Sequence, residues 1–425
     1  LNTLQYYTGP TIIAGGTLQV GGTSGGQLAA TNITNNAGLV LFTNGVGTSY
    51  SGTISGTGTV VKSGTGDYRL TGNNTSTSPL TISAGALYIG NVTGTGWWAG
   101  DIVNNVNGGA AAPGLTFARS DDVTYAGVIS GTGNVRQRGG GTLALTGSNT
   151  YTGATIITGG SLSIGNGGTT GWITSGTVTF LNNASSFIFN RSDDVTFPGV
   201  MQSSGKLVKL GAGTLTLTGN STFSGTTTVS AGTLAFGNGG TTGSVTSSIV
   251  NNAAVVFNRS DALTYSGAIS GTGTLTKLGS GTLTLSGSNT YSGGTTLSGG
   301  TLSLGSADAI GTTGTISFAG GALQFSASNT TDYSSRFSSA AGQQYSLDTN
   351  GQSVTLASAL TSSGGSLRKS GTGTLTLTGN NLYTGTTTVA TGTLSIGDGG
   401  TTGSVDRKST RLNSSYANIS YAVFC

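Results

Sequence analysis

Two pairs of adjacent aspartates are the residues in this sequence best suited to catalysis. Asp121 and Asp122 form one pair, and Asp193 and Asp194 form the other. Two carboxyl groups held near a glycosidic bond can act as general acid and as base or nucleophile in its hydrolysis. One hypothesis is therefore a carbohydrate-active enzyme that cleaves a polysaccharide with these aspartates.

The same aspartates also fit a structural role. Each pair follows an arginine, Arg119 or Arg191, in the phrase Phe-x-Arg-Ser-Asp-Asp-Val-Thr, and a third copy begins at Phe257 with alanine as the second residue of the pair. A catalytic site is needed once, whereas this phrase recurs. We therefore favour aspartates that accept hydrogen bonds from backbone amides in a turn and pair with the arginine.

Other catalytic and ligand-binding chemistry finds little support. The sequence has no histidine, which excludes His-based triads and His-containing metal sites. It lacks the phosphate-binding Gly-x4-Gly-Lys-Ser/Thr loop and the calcium-binding Gly-Gly-x-Gly-x-Asp nonapeptide. We expect a protein that is not an enzyme, with no catalytic, metal-binding or cofactor-binding residues.

The three tryptophans are candidates for binding. Trp97, Trp98 and Trp172 could stack against sugar rings as exposed platforms, or they could cover the flank of a folded layer or a loop. The sequence leaves both interpretations open.

The elements that must position these residues are strands and turns. The chain of 425 residues contains 78 glycines, 7% charged residues and no glutamate, so good helix formers are scarce. Threonine, valine, isoleucine, leucine and tyrosine dominate the segments between glycine and asparagine, as is typical of strands. Because hydrophobic residues reach 34% and alternate with threonine, we expect a folded all-β protein instead of a disordered one.

The last twenty residues, 406–425, differ from the rest. The run from Asp406 to Ser415 is rich in charge and matches the translation of a sequencing-library adapter, so we interpret 406–425 as a non-native tail. Without Arg407, Lys408, Arg411 and Asp406 the net charge falls from +4 to +2, which gives no reason to expect a nucleic-acid partner. The only cysteine, Cys425, also lies in this tail.

The two ends also bear on export. The chain begins without methionine or a signal sequence, so we expect any signal peptide upstream of Leu1. No apolar run is long enough for a membrane helix, and we expect no membrane span.

Internal repetition is the strongest feature of the sequence. Six copies lie near 1–55, 56–126, 127–198, 199–266, 267–358 and 359–405, and the fifth contains an insertion-like stretch from about 306 to 359. An aromatic residue marks the same place in four copies, at Tyr151, Phe223, Tyr291 and Tyr383. We expect one architecture repeated over 1–405, not a series of different domains.

The repeated text predicts the shape of each unit. In Gly-Thr-Leu-Thr-Leu-Thr-Gly the leucines Leu215 and Leu217 share one face and the threonines share the other. A closed sandwich has no need to repeat the same text, and a propeller blade of ~40–50 residues with its own motif is not evident. A parallel β-solenoid fits, with Leu143, Leu215 and Leu283 stacked on equivalent residues of neighbouring coils.

The phrase at 373–397 resembles the autotransporter-associated β-strand repeat, and the resemblance extends over 1–405. It implies a right-handed parallel β-helix, here an internal fragment without caps. It also implies a passenger exported through a C-terminal outer-membrane β-barrel translocator that this chain does not contain. The expected function is structural, as a passenger stalk displayed on the bacterial cell surface, with a carbohydrate or host surface as a candidate adhesive ligand. The repeat family has no shared catalytic residues.

Overall fold

The computed structural model describes residues 5–22, 28–29, 31–45, 47–109, 112–398 and 402–405. The tail interpreted as non-native, 406–425, lies outside the described residues. Contacts divide the chain into two compact units, of which unit 1 comprises 1–213 with 221–226 and unit 2 comprises the remainder.

The described residues form short strands. Up to residue 213 they are β1 (Thr11–Ile13), β2 (Thr17–Val20), β3 (Ile33–Asn35), β4 (Gly38–Phe42), β5 (Thr48–Tyr50), β6 (Ile54–Ser55), β7 (Thr59–Ser63), β8 (Tyr68–Leu70), β9 (Asn73–Asn74), β10 (Leu80–Ile82), β11 (Leu87–Ile89), β12 (Trp97–Trp98), β13 (Ile102–Asn104), β14 (Asn107–Gly108), β15 (Ala112–Pro113), β16 (Leu115–Phe117), β17 (Val123–Tyr125), β18 (Ile129–Ser130), β19 (Val135–Gln137), β20 (Thr142–Leu145), β21 (Ser148–Asn149), β22 (Thr155–Ile157), β23 (Ser161–Ile164), β24 (Trp172–Ile173), β25 (Thr177–Phe180), β26 (Ser186–Phe189), β27 (Val195–Phe197), β28 (Val200–Ser203) and β29 (Lys206–Lys209).

After residue 213 the strands continue in the same style, with a single 3-10 turn, η1 (Ser334–Arg336), among the described residues. They are β30 (Thr214–Leu217), β31 (Asn220–Ser221), β32 (Thr227–Val229), β33 (Thr233–Phe236), β34 (Ser244–Val245), β35 (Ile249–Asn251), β36 (Ala254–Phe257), β37 (Leu263–Tyr265), β38 (Ile269–Ser270), β39 (Thr274–Lys277), β40 (Thr282–Leu285), β41 (Thr295–Leu297), β42 (Thr301–Leu304), β43 (Ile316–Phe318), β44 (Ala322–Gln324), β45 (Gln344–Asp348), β46 (Val354–Leu356), β47 (Ser366–Ser370), β48 (Thr374–Leu377), β49 (Asn380–Asn381), β50 (Thr387–Val389), β51 (Thr393–Ile396) and β52 (Ser404–Val405). No helix within this described part is long and apolar enough to cross a membrane.

Parallel pairing with a partner 19 to 28 residues away along the chain makes each unit a β-solenoid. Leu143 lies beside Leu162 at the short end of that range, and Leu87 lies beside Leu115 at the long end. Each such step is one coil, and equivalent strands stack from coil to coil, as the repeated text predicts. Among the described strands, β14 and β15 form an antiparallel hairpin instead.

Within unit 1 the strands stack into long parallel sheets. Their orders are β1-β3-β6, β2-β4-β7-β10-β13-β18, β5-β8-β11-β16-β19-β22-β25-β28 and β17-β20-β23-β26-β29, with short pairs β9-β12 and β21-β24. The sheets are staggered along the chain. The sheet that starts at β5 continues to β28, and the next sheet starts at β17, before the first one ends. Both starting strands end in a buried tyrosine, Tyr50 or Tyr125.

Unit 2 repeats this arrangement with its own strands. Within it the orders are β30-β33-β36-β39-β41-β43, β32-β35-β38, β37-β40-β42-β44-β45-β47-β50 and β46-β48-β51, with the short pair β49-β52. The stretch 306–359 that looked like an insertion stays inside the solenoid. Its strands β44 and β45 carry Leu323 and Leu347, which continue the column from Leu302.

The predicted stacking of equivalent leucines is confirmed. Leu143 lies opposite Leu162, and Leu283 lies opposite Leu302, in adjacent parallel strands. Leu215 pairs in the same way with its equivalent in the next coil. All three are buried, with at most 1% of their surface exposed. The core of each unit therefore consists of columns of like side chains, while the right-handedness implied by the family resemblance stays a prediction.

A buried asparagine side chain satisfies backbone groups of neighbouring coils in four of the repeats. Oδ1 of Asn149 accepts the N–H of Ile129 at 2.9 Å, at the last strand of its sheet. Nδ2 of Asn149 donates to the carbonyl oxygens of Gly147 and Trp172, both at 2.9 Å. The side chain thus satisfies backbone groups of three successive coils that would otherwise be buried without partners. Asparagine has the same role at Asn74, Asn289 and Asn381, and serine replaces it at Ser221.

We expect Asn149→Ala to lower the free energy of unfolding by about 1–3 kcal/mol, because it orphans buried backbone groups. Asn149→Ser should cost less, since Oγ of Ser221 accepts the N–H of Met201 at 3.0 Å in the equivalent place. Chemical denaturation of both variants beside Ser148→Ala, which changes an exposed neighbour, measures the difference. Equal midpoints for Asn149→Ala and Ser148→Ala would contradict this role.

Four lysines are buried, and each donates hydrogen bonds to backbone carbonyl oxygens. Nζ of Lys62 donates to the carbonyl oxygens of Ser63, Gly64 and Ala84 at 3.0, 2.8 and 2.8 Å. Such a ring of backbone oxygens replaces the water that the ammonium group loses on burial. The others are Lys209, Lys277 and Lys369, and Gln137 stands at the same position in a fifth repeat.

These lysines predict how stability changes in alkaline solution. Burial lowers the pKa of Lys62 and of Lys277 to about 8. Above pH 8 the unfolded chain therefore holds more protons than the folded chain, and the free energy of unfolding rises with pH. Burial also raises the pKa of Tyr291 to about 12, and the pKa values of Tyr125 and Tyr151 rise in the same direction. Above pH 10 unfolding therefore releases protons, and stability falls.

The expected result is a maximum of stability near pH 10, which denaturation at fixed ionic strength between pH 7 and 11 would reveal. Lys277→Gln should fold, because Gln137 fills that position elsewhere, and it should flatten the rise between pH 8 and 10. Exposed Lys206→Gln is the control and should leave the rise unchanged. Stability that declines steadily from pH 8 would overturn this prediction.

Candidate functional site

Glycine-bounded loops stand at one corner of successive repeats. In unit 1 they span 90–96 and 165–171, and in unit 2 the equivalent loop spans 237–243. Each turns back on itself through glycines in the left-handed region, such as Gly165 and Gly171 with φ of 78° and 101°. A side chain other than glycine is strained there, so glycine is required at both ends of the loop.

The arginine of the recurring phrase holds the loop of the preceding coil. The guanidinium of Arg191 donates to the carbonyl oxygens of Gly171 and Thr169. It also donates to both carboxylate oxygens of Asp193, at 2.8 and 2.6 Å. Arg119 with Asp121 and Arg259 with Asp261 repeat the arrangement on their own loops. The predicted Arg–Asp pairing is therefore present in all three copies.

This pairing argues against a general-acid role for the first aspartate of each phrase. Hydrogen bonds from Arg119 hold the pKa of Asp121 below its ordinary value, and Arg191 does the same for Asp193. A general acid of a glycosidase needs a pKa raised toward neutrality, which is the opposite shift. The neighbouring Asp122 accepts the N–H of Thr142 at 2.6 Å, as a turn residue would.

We expect Arg191→Ala to destabilise unit 1 by about 1–3 kcal/mol, because two loop carbonyls lose a charged donor. Asp193→Ala should have a smaller effect, since this carboxylate is 37% exposed and its hydrogen bonds are to Arg191. Limited proteolysis provides the check. In Arg191→Ala the first cleavage is expected within the loop 165–171. Unchanged proteolysis of that loop would show that the arginine does not hold it.

The three tryptophans occupy two kinds of position. Trp98 is fully buried and fills the place that Ile173 takes in the next repeat, so it belongs to the core. Trp97 and Trp172 point the other way and are half-buried. Their rings pack edge-to-face on Tyr125 and Phe197, with centroids 5.6 and 6.1 Å apart. Alternation within Trp97-Trp98 is the signal that separates the two kinds.

The described residues offer little else for a ligand. They contain no group of three or more His, Cys, Asp or Glu side chains that could hold a metal ion. One open, polar groove runs beside η1 and is lined by residues 314–315 and 335–340. Its one charged residue, Arg336, already donates to the carbonyl oxygens of Gly311, Thr313 and Gly314.

Comparison with known proteins agrees with the repeat. The passenger-associated-transport-repeat family matches residues 2–20, 60–89, 135–164, 207–236, 275–304 and 367–396. The BmaC autotransporter adhesin of Brucella suis biovar 1 (strain 1330) is 37% identical over 165 residues, which are 39% of this chain and 4% of the relative. The chain therefore spans a small part of that relative's length. No solved structure matches the chain.

Proposed function

We propose that this chain, which carries six passenger-associated-transport repeats, is a non-catalytic β-solenoid segment of an autotransporter passenger displayed at the bacterial surface. One observation carries the proposal. The residues most able to do chemistry, the Arg–Asp pairs, recur three times and hold a loop of the preceding coil each time. Each pair connects its coil to the coil before it, and none of them stands out as a singular site.

The proposed location and partner follow from the family. An outer-membrane β-barrel translocator in the full-length protein would export the passenger, and the passenger would stay outside the cell. A solenoid suits this route because each emerging coil can pair with the coil before it. The name of the relative adds adhesion as the proposed activity of the display.

Surface display can be tested on intact cells that produce the full-length protein. Antibodies raised against residues 47–398 should label unpermeabilised cells, and external protease should remove the label. A periplasmic marker that stays protected is the control. Labelling only after permeabilisation would contradict the proposal.

The enzymatic alternative is tested separately. The chain should release no reducing ends from a panel of neutral and acidic polysaccharides. If it did, and if Asp121→Asn with Asp122→Asn abolished the release, the non-catalytic proposal would be wrong.

A further inference from the structure

We propose that Trp97 and Trp172 form a two-point stacking site for an uncharged, linear glycan that lies along the coils of unit 1. This rests on the proposed adhesive display and names its ligand class. The two residues are equivalent in the fold: Trp97 pairs with Asn73 and Trp172 pairs with Ser148, each directly after an arginine-held loop.

The solenoid does not need an indole at this position. Unit 2 builds the same corner with Ser244, directly after the loop 237–243, and again with Ser404. Tyr265, the aromatic residue that corresponds there to Tyr125 and Phe197, is still buried, with 3% exposed. Because serine satisfies the packing at this position in unit 2, the half-buried indoles of unit 1 call for another explanation.

The two indoles lie along one line of coils. The ring of Trp97 contacts Tyr125 of the following coil, and the N–H of Thr146 donates to the carbonyl oxygen of Tyr125 one coil further on. The N–H of Trp172 then donates to the carbonyl oxygen of Gly147, so Trp172 lies three coils after Trp97. Three coils at ~4.8 Å each separate the indoles by about 14 Å along the stack. A short linear oligosaccharide could contact both.

The chemistry around the indoles favours a neutral sugar. An aromatic face buries the apolar side of a sugar ring, and polar neighbours accept or donate to its hydroxyl groups. The loops beside both residues supply Thr, Asn and backbone carbonyl groups, and Ser148 between them is exposed. The guanidinium of Arg119 lies over one face of the Trp97 ring, 5.9 Å from its centroid, and forms an ion pair with Asp121. An acidic glycan would therefore meet no unpaired cation at Trp97.

Affinity electrophoresis of the whole chain tests the site with defined probes. Gels containing galactomannan, xylan or a β-glucan should retard the chain. Gels containing polygalacturonate should retard it no more than these neutral polysaccharides do. Trp97→Ser and Trp172→Ser reproduce the natural serine corner, so the variants should keep the β-sheet circular dichroism spectrum. Each should weaken association roughly two- to tenfold, and the double variant should abolish retardation. Tyr6→Ala, which removes an aromatic side chain that is 79% exposed elsewhere, is the control.

Probe length separates a two-point site from two independent contacts. The wild-type chain should bind a six-sugar oligosaccharide more tightly than a two-sugar one, and each single variant should lose that preference. Retardation that persists in the folded double variant, or stronger binding of polygalacturonate, would overturn the proposal. So would absence of binding to every neutral probe. Surface labelling of cells does not depend on these residues, so the display can hold if the glycan site fails.

Discussion

Gly139→Ala should lower the free energy of unfolding of unit 1 by about 3 kcal/mol, whereas the adjacent Gly140→Ala should change it little. A Cβ at residue 139 would lie 1.6 Å from the carbonyl oxygen of Arg119 in the preceding coil. That oxygen belongs to the backbone, so it cannot move aside without separating the coils. Nothing lies within 4 Å of a Cβ at residue 140.

The neighbouring glycine is a close control because other repeats already carry a side chain there. Ala212 and Ser280 occupy the position equivalent to Gly140, between glycines that approach the preceding coil. Denaturant midpoints of the two alanine variants give the comparison. Similar midpoints would show that the coils can separate at this corner at little cost, and would remove the steric argument for its glycines.

Leu283→Ala should cost about 2–5 kcal/mol, the usual loss when a buried leucine leaves a cavity. Leu283 is 1% exposed and sits between Leu263 and Leu302 in parallel register, so a missing side chain cannot be filled from either side. Both neighbours are themselves fixed by the strand hydrogen bonds. The cavity should therefore collapse poorly.

The next residue along β40 provides the matched control. Thr284 points to the opposite face and is half-buried, so Thr284→Ala should stay within about 0.5 kcal/mol of the parent. Thermal or chemical unfolding of the two variants decides the matter. A smaller loss for Leu283→Ala than for Thr284→Ala would mean that the inward column does not carry the stability of unit 2.

The solenoid could be predicted because its signal is both local and repeated. Alternation in Thr-Leu-Thr-Leu indicates which side chains point inward, and identical text in successive copies indicates what each of them contacts. The pairing of Arg191 with Asp193 was predictable for the same reason. The boundaries of the six copies stay predictions.

Other features depend on geometry that one copy of the repeat does not reveal. Lysine is normally exposed, so burial of Lys62 and Lys277 could not be read from their type; their inward place in the alternation was the available signal. The roles of Trp97 and Trp98 likewise follow from alternation across a two-residue strand, which is too short to be read alone. The stagger of the sheets could not be predicted, because it follows from the pairing register of the strands.

That stagger bears on how such a protein can change length during evolution. In unit 1, 75 residues separate the first strands of two successive long sheets, Thr48–Tyr50 and Val123–Tyr125, whereas one coil takes 19 to 28 residues. If a single coil were lost or duplicated, the first strand of one sheet would face a position at which the neighbouring coil continues another sheet. A gene rearrangement that removes a whole repeat leaves each junction as before. Related genes should therefore differ in length by whole repeats of about three coils, and seldom by one.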